Sequence, residues 1–279
     1  CDIPQEIAEK YGIDIMSFHI LLDDVDYVER ESCTNTEFYD KMRLAKGVPS
    51  TAAITPIQFC EKYCQYVDEG YTDVIHVPIN KSGSSTYNNA LMAQGMLREE
   101  RPEHHMKIHL PDPHTYSMVF GWYLCEMARK LKNGAEISHV IQEFEKQMNC
   151  MEIILGPYSL KQMKKSGRIS AAAAVMGELM GVRPIITLID GKTKVESKVR
   201  GDDKVVPAMI ELCKKRADGV ENFDYMIGHT NIKQAEDLEK ACRKAFGKAP
   251  LVVFELGGVV SANTGPDTVA LVYTGHPRG

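Results

Sequence analysis

The stretch Asn80-Lys-Ser-Gly-Ser-Ser-Thr-Tyr-Asn-Asn-Ala90 sets the hydroxyls of Ser82, Ser84, Ser85 and Thr86 between an apolar run and a helical pattern. The run, Val74-Ile-His-Val-Pro-Ile79, reads as a strand, and Ala90, Leu91, Met92, Met96 and Leu97 form an apolar stripe at helical spacing. A strand that passes through Ser, Gly and Thr into a helix presents unpartnered first-turn N–H groups and the positive end of a helix dipole. Hydroxyls beside them add donors, and a small anion such as a carboxylate or phosphate fits there. N-capping by Ser84, Ser85 or Thr86 accounts for the same residues, and on this stretch alone both readings stand.

Other residues offer less. Thr51 lies mid-loop in Gly47-Val-Pro-Ser-Thr-Ala-Ala-Ile-Thr-Pro56, as an exposed or pocket-facing hydroxyl. Asp112 falls just past the strand Lys107–Leu110, where α/β sheets place ligand contacts, and it is also a good turn residue. Asp23-Asp24 reads as a solvated turn. The eight Cys contain no Cys-x-x-Cys pair, the nine His are dispersed, and no metal site is expected.

The elements that must position these residues follow from the pattern. At 279 residues, 44% hydrophobic and 25% charged, the chain suits a large α/β domain or two smaller ones. A net charge of -5 with no basic stripe argues against nucleic acid. No apolar run approaches the roughly 20 residues of an integral membrane segment. No signal peptide is read, although the chain opens at Cys1. Scattered cysteines inside apolar patterns fit a reduced, cytoplasmic protein.

Along the chain, a helix over 3–11 is expected, with Asp2 as cap, Pro4 at its first position and Gly12 as its stop. A strand follows over 13–22, then helices at 35–44 and from Pro56 to about Glu69, capped by Thr34 or Asn35 and by Thr55. Helices are also expected at 116–131 and 134–149. From Cys150 the character changes: strands at 152–155 and 182–189, a small-residue helix at 169–181, and a hairpin turning at Asp190-Gly191 into 193–199. Helices at 207–216 and 232–246 then alternate with strands at 225–229, 251–256 and 269–273.

Several separated motifs agree with one family. Cys1-Asp-Ile-Pro, Thr51 with Pro56 and Phe59, Ser84-Ser-Thr-Tyr-x-x-Ala90, and Asp112 with Ser117 and Gly121 resemble the DegV proteins, a bacterial fatty-acid-binding family. Gly167-Arg-Ile-Ser170, Pro184, Asp190-Gly191, Lys198-Val-Arg-Gly201 and Thr264-Gly-Pro266 are similar to its second-half pattern, so the resemblance spans the chain. It implies two α/β domains, 1–149 with a Rossmann-like parallel sheet and 150–279 as a mixed α/β sandwich. The family's first strand and its Thr-Asp-Ser turn precede Cys1, and that strand is expected to be missing here.

The resemblance further implies a long-chain fatty acid buried between or beneath the domains, with no cofactor. Its carboxylate is expected at Thr51 and Ser84, with Ser85, Asn263 and Thr264 contributing and Arg168 lending charge. A partner kinase, the catalytic subunit of a fatty acid kinase, is expected to phosphorylate the acid for phospholipid synthesis, with Arg200 at the contact. The chain itself is then a carrier and not an enzyme. Two departures concern the site. Ser85 replaces the family Gly, and Asn263 and Asp267 stand where the family has His and Gly. Asn donates a hydrogen bond but carries neither proton nor charge. The alternative is a hydrolase or transferase acting on a small anion, with Ser84 as nucleophile and Asp112 as a polarising group. A third, a nucleotide-dependent kinase subunit, lacks any phosphate-cradling motif.

Overall fold

The computed structural model describes residues 1–167 and 181–278. Chain order runs α1 (Gln5–Tyr11), β1 (His19–Leu22), β2 (Val25–Val28), α2 (Asn35–Leu44), β3 (Ser50–Ala52), α3 (Pro56–Asp68), β4 (Asp73–Ile75), α4 (Thr86–Glu100), β5 (Lys107–His109), α5 (Met118–Lys132) and α6 (Ile137–Met148). It continues with β6 (Met151–Pro157), α7 (Lys161–Ser166), β7 (Val182–Ile189), β8 (Lys192–Arg200), α8 (Val205–Arg216), β9 (Tyr225–His229), α9 (Ile232–Phe246), β10 (Val253–Glu255), α10 (Gly258–Thr264) and β11 (Thr268–Thr274).

Local chemistry sets many of these boundaries. Thr34 and Thr55 each form a capping box, with Glu37 and Gln58, so α2 and α3 begin where two first-turn N–H groups gain acceptors. Asn231 accepts from Gln234 at the start of α9, and Gly247 (φ 71°) ends that helix in the left-handed region. At the β7–β8 turn Asp190 and Gly191 both have positive φ, 49° and 71°, as a tight hairpin requires.

The strands form three sheets among the described residues. β4 and β5 are a parallel pair, and β1 pairs antiparallel with β2 and β3. A mixed six-stranded sheet has the order β10-β9-β11-β6-β7-β8, with β9 and β10 parallel and the other pairs antiparallel. Alternation along β11 shows how the large sheet uses its two faces. Val269, Leu271 and Tyr273 pack with Val205, Met209 and Leu238 from α8 and α9. Ala270 and Val272 point the other way, into a core with Ile153, Leu155, Met118 and Val119. Residues 1–149 and 151–278 both contribute to that second core.

Three expectations are corrected. The strand expected over 13–22 forms only over His19–Leu22, because Ile13 and Ile15 lay their side chains against the main core. Pro4 is the N-cap of α1 and not its first residue, and Asp2 does not cap it; the Asp2 carboxylate accepts from Ser117 and from the Gly257 N–H instead. The strand read over Val74–Ile79 forms only as Asp73–Ile75, since Pro78 has no N–H to give a ladder; the stretch after Gly257, for which no element is expected, folds as the short helix α10.

His76 shows the cost of this burial. Its Nδ1 lies 2.6 Å from the Tyr63 hydroxyl, beside the Phe59 ring, and desolvation pushes its pKa down to about 4. A histidine whose folded pKa is depressed contributes stability above its unfolded pKa and loses it as pH falls. Between pH 6.5 and about 4 the fold should lose up to about 3 kcal/mol from this residue. Urea midpoints measured across that window for the wild type and for His76→Gln check this. The variant should show a shallower slope, and parallel slopes would remove His76 as the cause.

Candidate ligand site

The loop from Asn80 to Ser85 is held at its base by a buried asparagine. Asn80 donates Nδ2 to the His114 carbonyl (3.0 Å), and its own N–H donates to the Thr115 carbonyl (3.1 Å). Its Oδ1 accepts from the N–H and hydroxyl of Ser82, both at 2.8 Å. The next hydroxyl, Ser84, lies 2.7 Å from Thr86 Oγ1 and accepts from the Thr86 N–H at 3.2 Å. Ser85 is the N-cap residue of α4, yet its side chain makes no capping hydrogen bond. Capping therefore explains Ser84 in part and Ser85 not at all.

The β7–β8 hairpin tip closes over this loop. A Cβ on Gly191 would collide with Asn80 and Ser82, so only a glycine lets the tip seat there. Asp190 accepts from or pairs with His114 Nδ1 at 2.7 Å, and Lys81 stands 3.6 Å from Asp112. His114 is thus engaged with a carboxylate, and the Ser84 hydroxyl is engaged with Thr86. The sequence's candidate nucleophile has a threonine as its neighbour, where a nucleophilic mechanism needs a base.

Beneath the loop and the hairpin lies a cavity of about 290 Å³. Its wall carries polar groups, among them Thr51, Ser84, Ser85, Ser117, Asn263 and Thr264. The wall also includes the apolar side chains of Ile153, Leu155, Leu188, Phe254, Ala270 and Val272. These polar residues arrive on four separate elements. Thr51 is in β3, opposite Ile20 of β1, and Ser84 and Ser85 precede α4. Ser117 precedes α5 with φ 64° and ψ -152°, a strained conformation for a residue with a Cβ. Asn263 and Thr264 end α10.

Their hydrogen bonding differs in a telling way. Asn263 donates Nδ2 to the Val259 carbonyl at 2.8 Å, which leaves the second amide hydrogen for another acceptor. The Thr264 hydroxyl is buried and has no hydrogen-bond partner within the protein. A buried hydroxyl left unpaired costs about 1–3 kcal/mol, so its position on a cavity wall marks where a ligand acceptor would be stabilised.

All five expected hydroxyl and amide residues that the structure describes, Thr51, Ser84, Ser85, Asn263 and Thr264, are brought together at this cavity. Arg168 and the small-residue stretch after it lie outside the described residues. Arg200 is the last residue of β8, exposed, and outside the cavity wall. Reading the sequence in order did not single out Gly83, Thr193 or Tyr116 as wall residues. Asp190-Gly191 signalled a turn, but nothing local says that this turn lands on the serine loop. No group of His, Cys, Asp and Glu among the described residues is arranged to hold a metal ion.

This is a mixed α/β protein with a cavity lined by hydroxyl, amide and apolar side chains. Residues 1–275 match the DegV family, described as an uncharacterised protein family, and the chain belongs to it. A DegV domain-containing protein of Clostridium perfringens is 26% identical over 274 residues, covering 97% of this chain and 94% of that protein. One from Staphylococcus aureus is 27% identical over 280 residues, covering 98% and 94%. Among solved structures, a fatty-acid-binding DegV protein of Streptococcus agalactiae is 26% identical with a TM-score of 0.83, covering 98% of this chain and 95% of that one. A stearic-acid-binding protein of Eubacterium ventriosum shares the fold with a TM-score of 0.89 at 22% identity, covering 99% and 95%.

Proposed function

We propose that this chain binds a long-chain fatty acid, with the carboxylate among Thr51, Ser84, Ser85, Asn263 and Thr264 and the tail along the apolar wall. The observation that carries the reading is the buried, unpartnered Thr264 hydroxyl on the wall of a cavity that hydroxyl, amide and apolar side chains line together. A carboxylate leaving water needs several donors, and a hydroxyl that the fold already buries without a partner loses nothing further by taking that role. The tail supplies the driving force: about 0.8 kcal/mol per buried methylene gives on the order of 10 kcal/mol for some fifteen methylenes before association costs. The fatty-acid-binding relative from Streptococcus agalactiae supports the same ligand class.

In this reading the chain is a non-catalytic carrier. The lobes 1–149 and 150–279 enclose the acid and present it to a partner kinase that forms the acyl phosphate for phospholipid synthesis. Arg200, exposed at the end of β8, is offered as part of the kinase contact. Eight free cysteines fit a reducing cytoplasm, and no helix among the described residues is long and apolar enough to cross a membrane.

Lipid extraction from the purified protein followed by mass spectrometry tests the ligand. A stoichiometric long-chain acid is expected, and a protein recovered empty from a lipid-containing host would count against the reading. Ser84→Ala should weaken acid binding by about 1–3 kcal/mol through loss of one donor to a buried charge. A displacement titration with a fluorescent fatty acid measures this, and an unchanged affinity would remove Ser84 from the site.

A further inference from the structure

Asp2 stands behind the cavity wall and touches two of its polar segments at once. Its Oδ2 accepts the Ser117 hydroxyl and, at 2.8 Å, the Gly257 N–H. Ser117 lines the cavity from the start of α5, and Gly257 opens the short helix that ends in Asn263 and Thr264. A second carboxylate, Glu29, accepts the Val259 N–H at 2.7 Å, two residues further along. Gly257 passes so close to both acids that a Cβ there would collide with Asp2 and stand 2.9 Å from Glu29 Oε1.

These contacts are long-range in the chain, joining residue 2 to 117 and 257, and 29 to 259. They do not cap α1, the one helix that sequence proximity would assign to Asp2. A charge-assisted hydrogen bond is short and directional, so one carboxylate oxygen sharing two donors fixes the separation of the two segments. The strained backbone at Ser117 fits a residue held in place by such a contact, since strain persists only where surroundings over-determine it. Burial and the neighbouring Asp2 both push the Glu29 pKa up, while the Val259 N–H and Arg30 pull it down.

We propose that Asp2 is a positioning residue for the ligand carboxylate: by holding the Ser117 hydroxyl and the Gly257 N–H together it fixes the start of α10 and so places Asn263 and Thr264, the donors at that helix's far end. This rests on the fatty-acid reading above and adds to it: Asp2 acts on the head group and not on the tail. The consequence is selective. Loss of the bridge misplaces donors that only a carboxylate uses, and leaves the apolar wall as it was.

The test compares one long-chain fatty acid with its methyl ester on delipidated full-length protein, for wild type, Asp2→Ala and Asp2→Asn. The ester keeps the tail and lacks the charge. Asp2→Ala should lower acid affinity at least tenfold while ester affinity changes less than threefold. Asp2→Asn keeps an acceptor oxygen for both donors and should recover most of the loss. Equal loss for acid and ester, or no loss for either, overturns the positioning role. Failure of the wild type to bind either compound overturns the fatty-acid reading itself, and this role with it. Should Asp2→Ala fold poorly, Ser117→Ala removes one arm of the bridge and leaves the carboxylate. It should lower the acid-to-ester ratio in the same direction, and an unchanged ratio overturns the proposal.

Discussion

Ala270→Phe is expected to empty the cavity of acyl chain while the protein stays folded. Ala270 is buried on β11, between Leu155 of β6 and Gly228 of β9 in register, on the face that lines the cavity. A benzyl group built there enters space bounded by Leu155, Phe254 and Leu256, the space the proposal gives to the tail. Excluding four methylenes removes about 3 kcal/mol of transfer free energy, or two powers of ten in affinity. Overpacking a filled core costs about 1–3 kcal/mol, but this side chain enters a void, so the unfolding midpoint should move by only a few degrees. Mass spectrometry of co-purified lipid and a fluorescent fatty-acid titration provide the two readouts. Full acyl occupancy in a folded Ala270→Phe protein would place the tail elsewhere. Acid and methyl ester should lose affinity together here, the opposite of the selective loss expected at Asp2.

The parts of this architecture that were legible in the sequence are those written in local chemistry. Thr34, Thr55 and Pro56 set helix starts, Gly247 a helix end, and Asp190-Gly191 a hairpin, because each acts within one turn of backbone. Ser84 and Ser85 stand out from the loop chemistry before α4, while Thr51, Asn263 and Thr264 stand out only by their places in separated family motifs, and the fold gathers all five at one cavity. What local reading missed depends on distance along the chain. Asp2 precedes a helix and looks like its cap, yet its donors are 115 and 255 residues away. Gly191 looks like turn chemistry alone until the hairpin tip is seen against Asn80 and Ser82. Glu152 sits in an apolar strand with nothing nearby in sequence to pair it. Its partners, Arg216 and Tyr273, arrive only when the sheet and α8 assemble.

That last group carries the largest expected effect on stability. Glu152 is 7% exposed and accepts from Arg216 Nε at 2.6 Å, Arg216 Nη2 at 3.1 Å and the Tyr273 hydroxyl at 2.6 Å. Arg216→Ala leaves a buried carboxylate with one neutral donor, and breaking such a pair costs about 3–5 kcal/mol. The arginine side chain is 30% exposed, so water reaches the gap and the lower end of that range is expected. Glu152→Gln added to Arg216→Ala should recover part of the loss, because it removes the unpaired charge and keeps an acceptor for Tyr273. Urea unfolding of the two single variants and the double variant separates the coupling from the individual losses. A cost for Arg216→Ala below about 0.5 kcal/mol would show the carboxylate to be solvated instead. The pair lies on the sheet face away from the cavity, but Ile153 follows Glu152 on β6 and lines the ligand site. A saturating fatty acid should therefore stabilise wild type and Arg216→Ala by similar increments if β6 keeps its register, since a ligand adds only what its affinity for the folded state allows. A smaller increment in the variant would mean that the ion pair also holds the cavity wall in shape.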